Sequence, residues 1–388
     1  MIHSGTQVRF QPELVEGPKP SRHVRGLAPY DAVSSLSAIS RLPEGTVPLK
    51  LDWNESAIPP SPRVIEAITA FLGNTHNLNW YSDLQATSLR EALAVYTGVS
   101  ADHMLVTNGS DDALALVCYT FLDAGDDVLV VWPTYGHFMV FARARGVEPR
   151  IAAEDDLFAN PTESVLSRMT ERTKLVYFAS PNNPTGVVTP PDDVARMCNS
   201  HPGTLFLVDE AYYEFSGVSS AKLVESCPNL VVTRTFSKCL GIAGLRVGYM
   251  MAGDPILDHL RKLHNPKSVN SLGQVGALAA LSDRDYIDGY IRDVRKAGLW
   301  FQDELRARGA DARTTDANFL LVRVADPGAL VAALESVGVF IRDRSHIKGF
   351  DGYVRFTLGT PGQMKDLTHR IDGLLAARPD LLKPYGSG

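Results

Sequence analysis

The chemistry of this sequence gathers around Lys238. It lies in TFSKCLGIAGLRVG, residues 235–248, directly after an apolar run, with hydroxyls at Thr235 and Ser237 and a cation at Arg246. An amine set among apolar and small residues is costly to keep as an ammonium, and the neutral amine is the form that attacks a carbonyl to make an imine. Two hydroxyls and a guanidinium beside it suit a phosphate. A lone lysine would ordinarily be a snorkelling surface residue. The companions point instead to a ligand carrying both an aldehyde and a phosphate, for which pyridoxal 5'-phosphate is the candidate.

Three further segments carry groups such a ligand would use. In SPNNPTG (180–186), Asn183 follows the run KLVYF, and its amide can donate to a phenolate oxygen; turn formation alone would also explain the prolines and glycine. In VDEAYYEF (208–215), Asp209 ends the run TLFLV, where an unpaired carboxylate would be costly and a protonated pyridine nitrogen would relieve it. Tyr212 can reach the same phenolate oxygen as Asn183, or can be ordinary aromatic core. In NGSDDAL (108–114), a Gly-Ser turn precedes a helical stretch, so the N–H groups and hydroxyl of Ser110 and the N–H of Asp111 form an anion seat. Tyr135, in WPTYG, follows the next strand, where its ring can stack on a planar cofactor.

The elements that must position these groups are legible as short apolar runs: 103–107, 127–131, 174–180, 204–210, 230–235 and 245–251. Nearly all-apolar runs of this length read as strands buried on both faces, and the segments between them fit crossover helices. An α/β unit with a mostly parallel sheet is expected over 51–270. From 271 to 388 the pattern changes to a small α+β unit, with an amphipathic helix over about 284–308, strands at 318–324, 339–343 and 353–359, and helices from Pro327 and Pro361. Residues 1–26 read as a loose leader, and 27–50 as an N-terminal segment that packs with the small unit.

Composition closes off other classes. The 388 residues, 45% hydrophobic and 21% charged, suffice for a large core. A net charge of -6 without a basic block argues against nucleic acid. No run of eighteen apolar residues is present, so no membrane span is expected. Four cysteines without CxxC spacing read as reduced thiols of a cytoplasmic protein, with no metal site.

In their order and spacing these segments resemble the fold-type I pyridoxal-phosphate aminotransferases, from about Leu27 to about Leu375, and most nearly the histidinol-phosphate aminotransferase branch. The resemblance implies a large cofactor domain with a mixed, mostly parallel sheet, a small α+β domain, and a homodimer. It implies Lys238 as the Schiff-base lysine, Asp209 on the ring nitrogen, Asn183 and Tyr212 on the phenolate oxygen, and Tyr135 on the ring face. Ser110, Asp111, Thr235, Ser237 and Arg246 would hold the phosphate, joined across the dimer by Tyr81 of WYSD. Arg355, in YVRFTLGT, would clamp a carboxylate. Tyr30 of RGLAPY, Asn54 of LDWNES and Arg342 of IRDRS would line the substrate pocket, although Arg342 can equally pair with Asp343 or Asp351. Trp53, Ser56-Ala57 and WYSD depart from the branch's usual residues. The activity implied is amino transfer between a donor of the glutamate/2-oxoglutarate pair and a small acceptor; alternatives are an aromatic or other amino-acid aminotransferase and a threonine-phosphate-type decarboxylase. A cofactor-sensing regulator with a winged helix would need more than the roughly 30 residues that precede the match.

Overall fold

The computed structural model describes residues 18–28, 35–153 and 156–386. Tyr30 and most of the expected leader lie outside the described residues.

Period-two burial builds the principal sheet. In β5 (Thr173–Ala179, numbered in chain order with all strands below), Val176 and Phe178 enter one apolar cluster and Leu175 and Tyr177 the other; in β6 (Leu205–Asp209) Phe206 and Val208 oppose Leu205 and Leu207. The remaining strands of this sheet are β2 (Met104–Thr107), β3 (Asp127–Val131), β4 (Arg150–Ala152), β7 (Leu230–Thr235) and β8 (Gly248–Ala252), in the order β2-β8-β7-β6-β5-β3-β4. The pairs among β7, β6, β5, β3 and β4 are parallel. Only β8 runs antiparallel, to both β7 and β2, so its first residue, Gly248, meets Thr235 on one side and Thr107 on the other.

The helix Ser110–Phe121 follows β2 and opens with Asp111 and Asp112, whose charges complement the helix N-terminus. The helix Ser271–Leu281, placed by the sequence reading in the second unit, packs instead on Pro62–Leu72 and Thr87–Thr97, beside the large sheet. Gly276 leaves room there for Leu245, whose Cδ1 would lie 2.5 Å from a Cβ at that position.

A second sheet has the order β12-β13-β10-β9, with β9 (Asp311–Thr314), β10 (Phe319–Arg323), β12 (Arg342–Asp343) and β13 (Tyr353–Thr357), all antiparallel. The 24-residue helix Arg284–Ala307 buries Ile287, Tyr290, Val294, Phe301 and Leu305, one face at helical spacing, and packs on β9 and the helix Pro361–Ala377. That last helix starts with a capping box between Thr360 and Gln363 and a proline at its first turn. The run 339–343 does not form one strand. Val339–Phe340 (β11) pairs in parallel with β1 (Leu49–Lys50), and only Arg342–Asp343 joins the four-stranded sheet. The N-terminal segment thus hydrogen-bonds to the small unit, Leu49 N–H donating to Gly338 O at 2.9 Å.

Candidate active site

The antiparallel β8 brings two of the chemically marked segments together. Gly109 precedes the helix Ser110–Phe121 with a φ of 84°, which favours glycine, and a Cβ on it would lie 2.6 Å from Arg246 Nη2. A Cβ on Gly248 would in turn lie 2.6 Å from the Ser110 nitrogen. Both glycines are needed for the guanidinium to sit against the helix N-terminus. Arg246, itself at φ 55°, donates from Nη1 to Ser237 Oγ at 3.3 Å, and Thr235 Oγ1 donates to Ser237 Oγ at 3.0 Å. The result is a cradle of hydroxyls, N–H groups and one cation, the donor set a phosphate takes. Asp111 turns its carboxylate aside, accepting from Tyr135 OH at 2.9 Å with Arg246 Nη2 at 3.9 Å. Tyr135 is half-buried and edge-on to His137.

Asp209, at the end of β6, is buried, and its carboxyl is pushed up to about 7, first by burial and then by the charge of Asp111. Thr233 Oγ1 donates to Oδ1 at 3.2 Å and Tyr177 OH approaches Oδ2 at 3.5 Å, but among the described residues no Lys, Arg or His pairs with it. A buried carboxylate in this state calls for a cation.

Lys238, half-buried, donates from Nζ to Trp53 O at 2.9 Å and lies 5.8 Å from the centre of the Tyr212 ring. Tyr212 OH accepts from Asn54 Nδ2 at 3.1 Å. Asn54 is fully buried at φ 54°; its N–H donates to Thr357 Oγ1, which donates back to its Oδ1, and its carbonyl accepts from Asn318 Nδ2. Asn54 is therefore built into the wall behind Tyr212, a contact 158 positions long that LDWNES read locally does not reveal.

Across from these groups stands Arg355 on β13. It is 2% exposed, donates from Nη1 to Asn183 Oδ1 and from Nη2 to Asp52 O, both at 2.7 Å, and its Nε has no acceptor. Burial, followed by the nearby charge of Arg344, holds its guanidinium well below the ordinary arginine range, against the opposing pull of Tyr212 and Asp52. Arg342 stands directly opposite Arg355 across the β12–β13 pair, and Arg344 N–H bonds Tyr353 O one step further. Strand alternation puts all three guanidiniums on one side of that sheet.

The structure thus brings together Ser110, Asp111, Tyr135, Asn183, Asp209, Tyr212, Thr235, Ser237, Lys238 and Arg246, with Asn54, Arg342 and Arg355 on the facing side. Tyr81 is not among them: it is 77% exposed, with Lys267 Nζ 5.5 Å from its ring centre. Thr233 was overlooked, though it stands two residues before Thr235 and so shares its face. Asn182, which holds the Asn183 turn through Pro133 O, Thr134 and Thr185, carried no local signal. Among the described residues no acid, histidine and cysteine cluster could hold a metal, and no helix is long and apolar enough to cross a membrane.

The phosphate cradle, the buried carboxyl of Asp209 and the amine of Lys238 beside Tyr212 fit pyridoxal phosphate, and a mixed seven-stranded sheet with a smaller antiparallel unit defines a fold-type I pyridoxal-phosphate enzyme. The chain belongs to the family of class I and II aminotransferases, which matches residues 46–371. It is 38% identical over 329 residues to the dihydroxyacetone phosphate transaminase of Campylobacter jejuni, covering 83% of this chain and 89% of that protein. Over 319 residues it is 33% identical to the histidinol-phosphate aminotransferase of Methanocella arvoryzae, covering 81% and 86%. The histidinol-phosphate aminotransferase of Sinorhizobium meliloti, solved with pyridoxal 5'-phosphate, shares the fold at a TM-score of 0.82 and 24% identity, over 92% of this chain and 98% of that one. The protein is a pyridoxal-phosphate-dependent aminotransferase.

Proposed function

We propose that this aminotransferase moves an amino group between a carboxylate-bearing donor, of the glutamate/2-oxoglutarate kind, and a small carbonyl acceptor carrying a phosphate. The observation that carries the reading is Arg355: a buried guanidinium with an unfilled Nε, no carboxylate partner among the described residues, and Arg342 and Arg344 on the same sheet face. That is a seat for an anionic substrate. The relatives named for dihydroxyacetone phosphate and histidinol phosphate support a phosphate at the substrate's far end.

Pyridoxal phosphate, when bound, supplies an aldehyde carbon that carries the amino group and a protonated ring that draws electrons from the substrate carbon. Thr235, Ser237, Arg246, Ser110 and the N–H of Asp111 hold its phosphate. Asp209 keeps the ring nitrogen protonated, Asn183 and Tyr212 donate to the phenolate oxygen, and Tyr135 covers one ring face. Lys238 Nζ would carry the proton from the donor's α-carbon to the cofactor carbon that receives the nitrogen, and would carry it the opposite way, to the acceptor's carbon, in the return half-reaction. Arg355 binds the donor carboxylate, Arg342 the acceptor phosphate, and Asn54 orients Tyr212. Two units, 51–281 and 282–386 with the N-terminal segment, close around this site. Exposed Trp80, Tyr81 and Leu84 support burial against a second copy of the chain, with Tyr81 completing the partner's phosphate site. Four free, buried thiols suit the cytoplasm.

The test is a set of half-reactions followed by the cofactor's absorbance. Glutamate should convert the enzyme to its aminated form, and dihydroxyacetone phosphate and the ketone corresponding to histidinol phosphate should return it. If phosphate-free aromatic keto acids return it at least as fast, the enzyme is an aromatic amino-acid aminotransferase. Carbon dioxide release from threonine phosphate would mark a decarboxylase.

A further inference from the structure

Behind the site, on the opposite face of β6 and β7, lies a buried ion pair to which the chemistry above gives no role. Arg234 and Glu210 are 2% and 1% exposed. Arg234 Nε and Nη2 donate to Glu210 Oε2 at 3.0 and 2.8 Å, Ser219 Oγ donates to the same oxygen at 2.9 Å, and Ser220 N–H donates to Oε1 at 2.6 Å. Arg234 also bonds Ser219 Oγ and Tyr249 OH, and its guanidinium carbon stands 3.4 Å from the centre of the Tyr213 ring. Every oxygen of the carboxylate is used, and the cation is held by four residues, Glu210, Tyr213, Ser219 and Tyr249.

A buried pair of this kind is weak evidence for stability, because well-packed apolar residues of similar size often serve as well. Its position in the chain is the informative feature. Glu210 directly follows Asp209; Arg234 lies between Thr233, which bonds Asp209, and Thr235, which belongs to the phosphate cradle; Tyr213 directly follows Tyr212. Glu210 N–H further donates to Thr233 O at 2.8 Å, fixing the register of the two strand ends. Each residue of the pair and its stacked tyrosine is therefore one peptide unit from a group that faces the cofactor. In β7, strand alternation sends Arg234 to the face opposite Thr233 and Thr235.

We propose that Arg234 and Glu210, with Tyr213 stacked beneath, are positioning residues: they clamp from behind the two backbone segments that present Asp209, Tyr212 and Thr235, and so set the angle and tightness with which pyridoxal phosphate is held. The inference rests on the assignment of Asp209, Tyr212 and Thr235 to the cofactor.

The experiment uses the holoenzyme of three variants. Glu210→Met with Arg234→Met removes both partners of the pair at once and leaves the neighbouring buried Glu214 to be held in its neutral form by its surroundings; Arg234→Lys keeps the charge and loses the fork; Ser219→Ala removes a hydroxyl bonded to both partners. Thermal melts report folding, dialysis with pyridoxal phosphate reports affinity, and visible circular dichroism reports how the bound ring is held. The double variant should fold yet bind the cofactor about tenfold to a hundredfold more weakly, the range seen when groups supporting a ligand shell are removed. Its dichroic band should change, Arg234→Lys should recover part of both losses, and Ser219→Ala should move both slightly in the same direction. A folded double variant with wild-type affinity and dichroism overturns the inference. Should that variant fail to fold, wild-type affinity and dichroism in both milder variants overturn it equally. Asp209→Asn serves as control: if it too leaves affinity unchanged, the assignment of Asp209 is what has failed.

Discussion

At the C-terminal ends of β6 and β7 the buried charge lacking a partner is negative; on the β12–β13 face it is positive. Among the described residues Asp209 is surrounded by hydroxyls without a paired cation, whereas Arg355 is beside two further arginines without a paired carboxylate. The two regions differ in rigidity of supply as well. Asp209, Thr235, Ser237 and Arg246 all come from strand ends of the large sheet or the loops directly after them, while Arg355 reaches across to Asn183 and Asp52 from the other unit. On the proposed function, the opposite deficits would take a cationic ring nitrogen against one wall and an anionic substrate against the other, with chemistry on the large sheet and recognition on the small one.

Four substitutions test that division, from the largest effect to the smallest. Lys238→Ala should reduce amino transfer by about 10²- to 10⁴-fold through loss of proton transfer alone. Borohydride treatment should then leave no cofactor on the peptide containing position 238, and a fixed adduct at this site in the variant would defeat the assignment. Arg355→Ala should lower kcat/KM for glutamate by roughly tenfold to a hundredfold, the loss of a charge-assisted bond of about 1.5 to 3 kcal/mol, with the cofactor's absorbance unchanged. A changed spectrum would mean that the two walls are not separable. Arg342→Ala should cost about tenfold in kcat/KM for phosphorylated acceptors while sparing those without phosphate. Equal losses for both would remove the phosphate reading.

The smallest effect concerns the buried acid. Because the Asp209 carboxyl is raised to about 7 in the fold and is near 3.8 when unfolded, the folded chain holds its proton more tightly. The stability this provides is full below about pH 4 and is lost as pH rises through 7. Asp209→Asn should therefore weaken cofactor binding yet raise the melting temperature of the cofactor-free protein at pH 8, by about 2–4 °C for each kcal/mol relieved. Calorimetry at pH 5 and 8 checks the sign, and a gain confined to pH 5 would contradict it.

The large-sheet wall was legible in the sequence because its information is local. Lys238 with its hydroxyls, Asp209 at the end of an apolar run and Ser110 at a helix start each carry their signal within a few residues, and the fold sets them near one another. The other wall was less so. Asn54 reads as part of a substrate loop until the fold sets it against Tyr212, and the run 339–343 looks like one strand because Val339, Phe340 and Ile341 are all buried, although the chain changes sheets at Ile341. Strands of two to four residues, as at Leu49–Lys50, Arg150–Ala152 and Asp311–Thr314, are too short for any period to register. Tyr81 is marked by the resemblance alone, and its ring stands exposed.

The antiparallel course of β8 has a consequence for how the molecule is made. Gly109 and Gly248 belong to segments far apart in the chain, and they touch only when β8 has inserted between β2 and β7. Such non-local pairing is slow, since loop-closure entropy must be met before the contacts form. The phosphate cradle accordingly cannot exist in a half-assembled sheet. Pyridoxal phosphate at a hundred times its dissociation constant would add about 2.7 kcal/mol to the finished fold and none to the unfolded chain. The vitamin-derived cofactor thus acts as a certificate of completed folding, captured only by chains whose last strand has arrived.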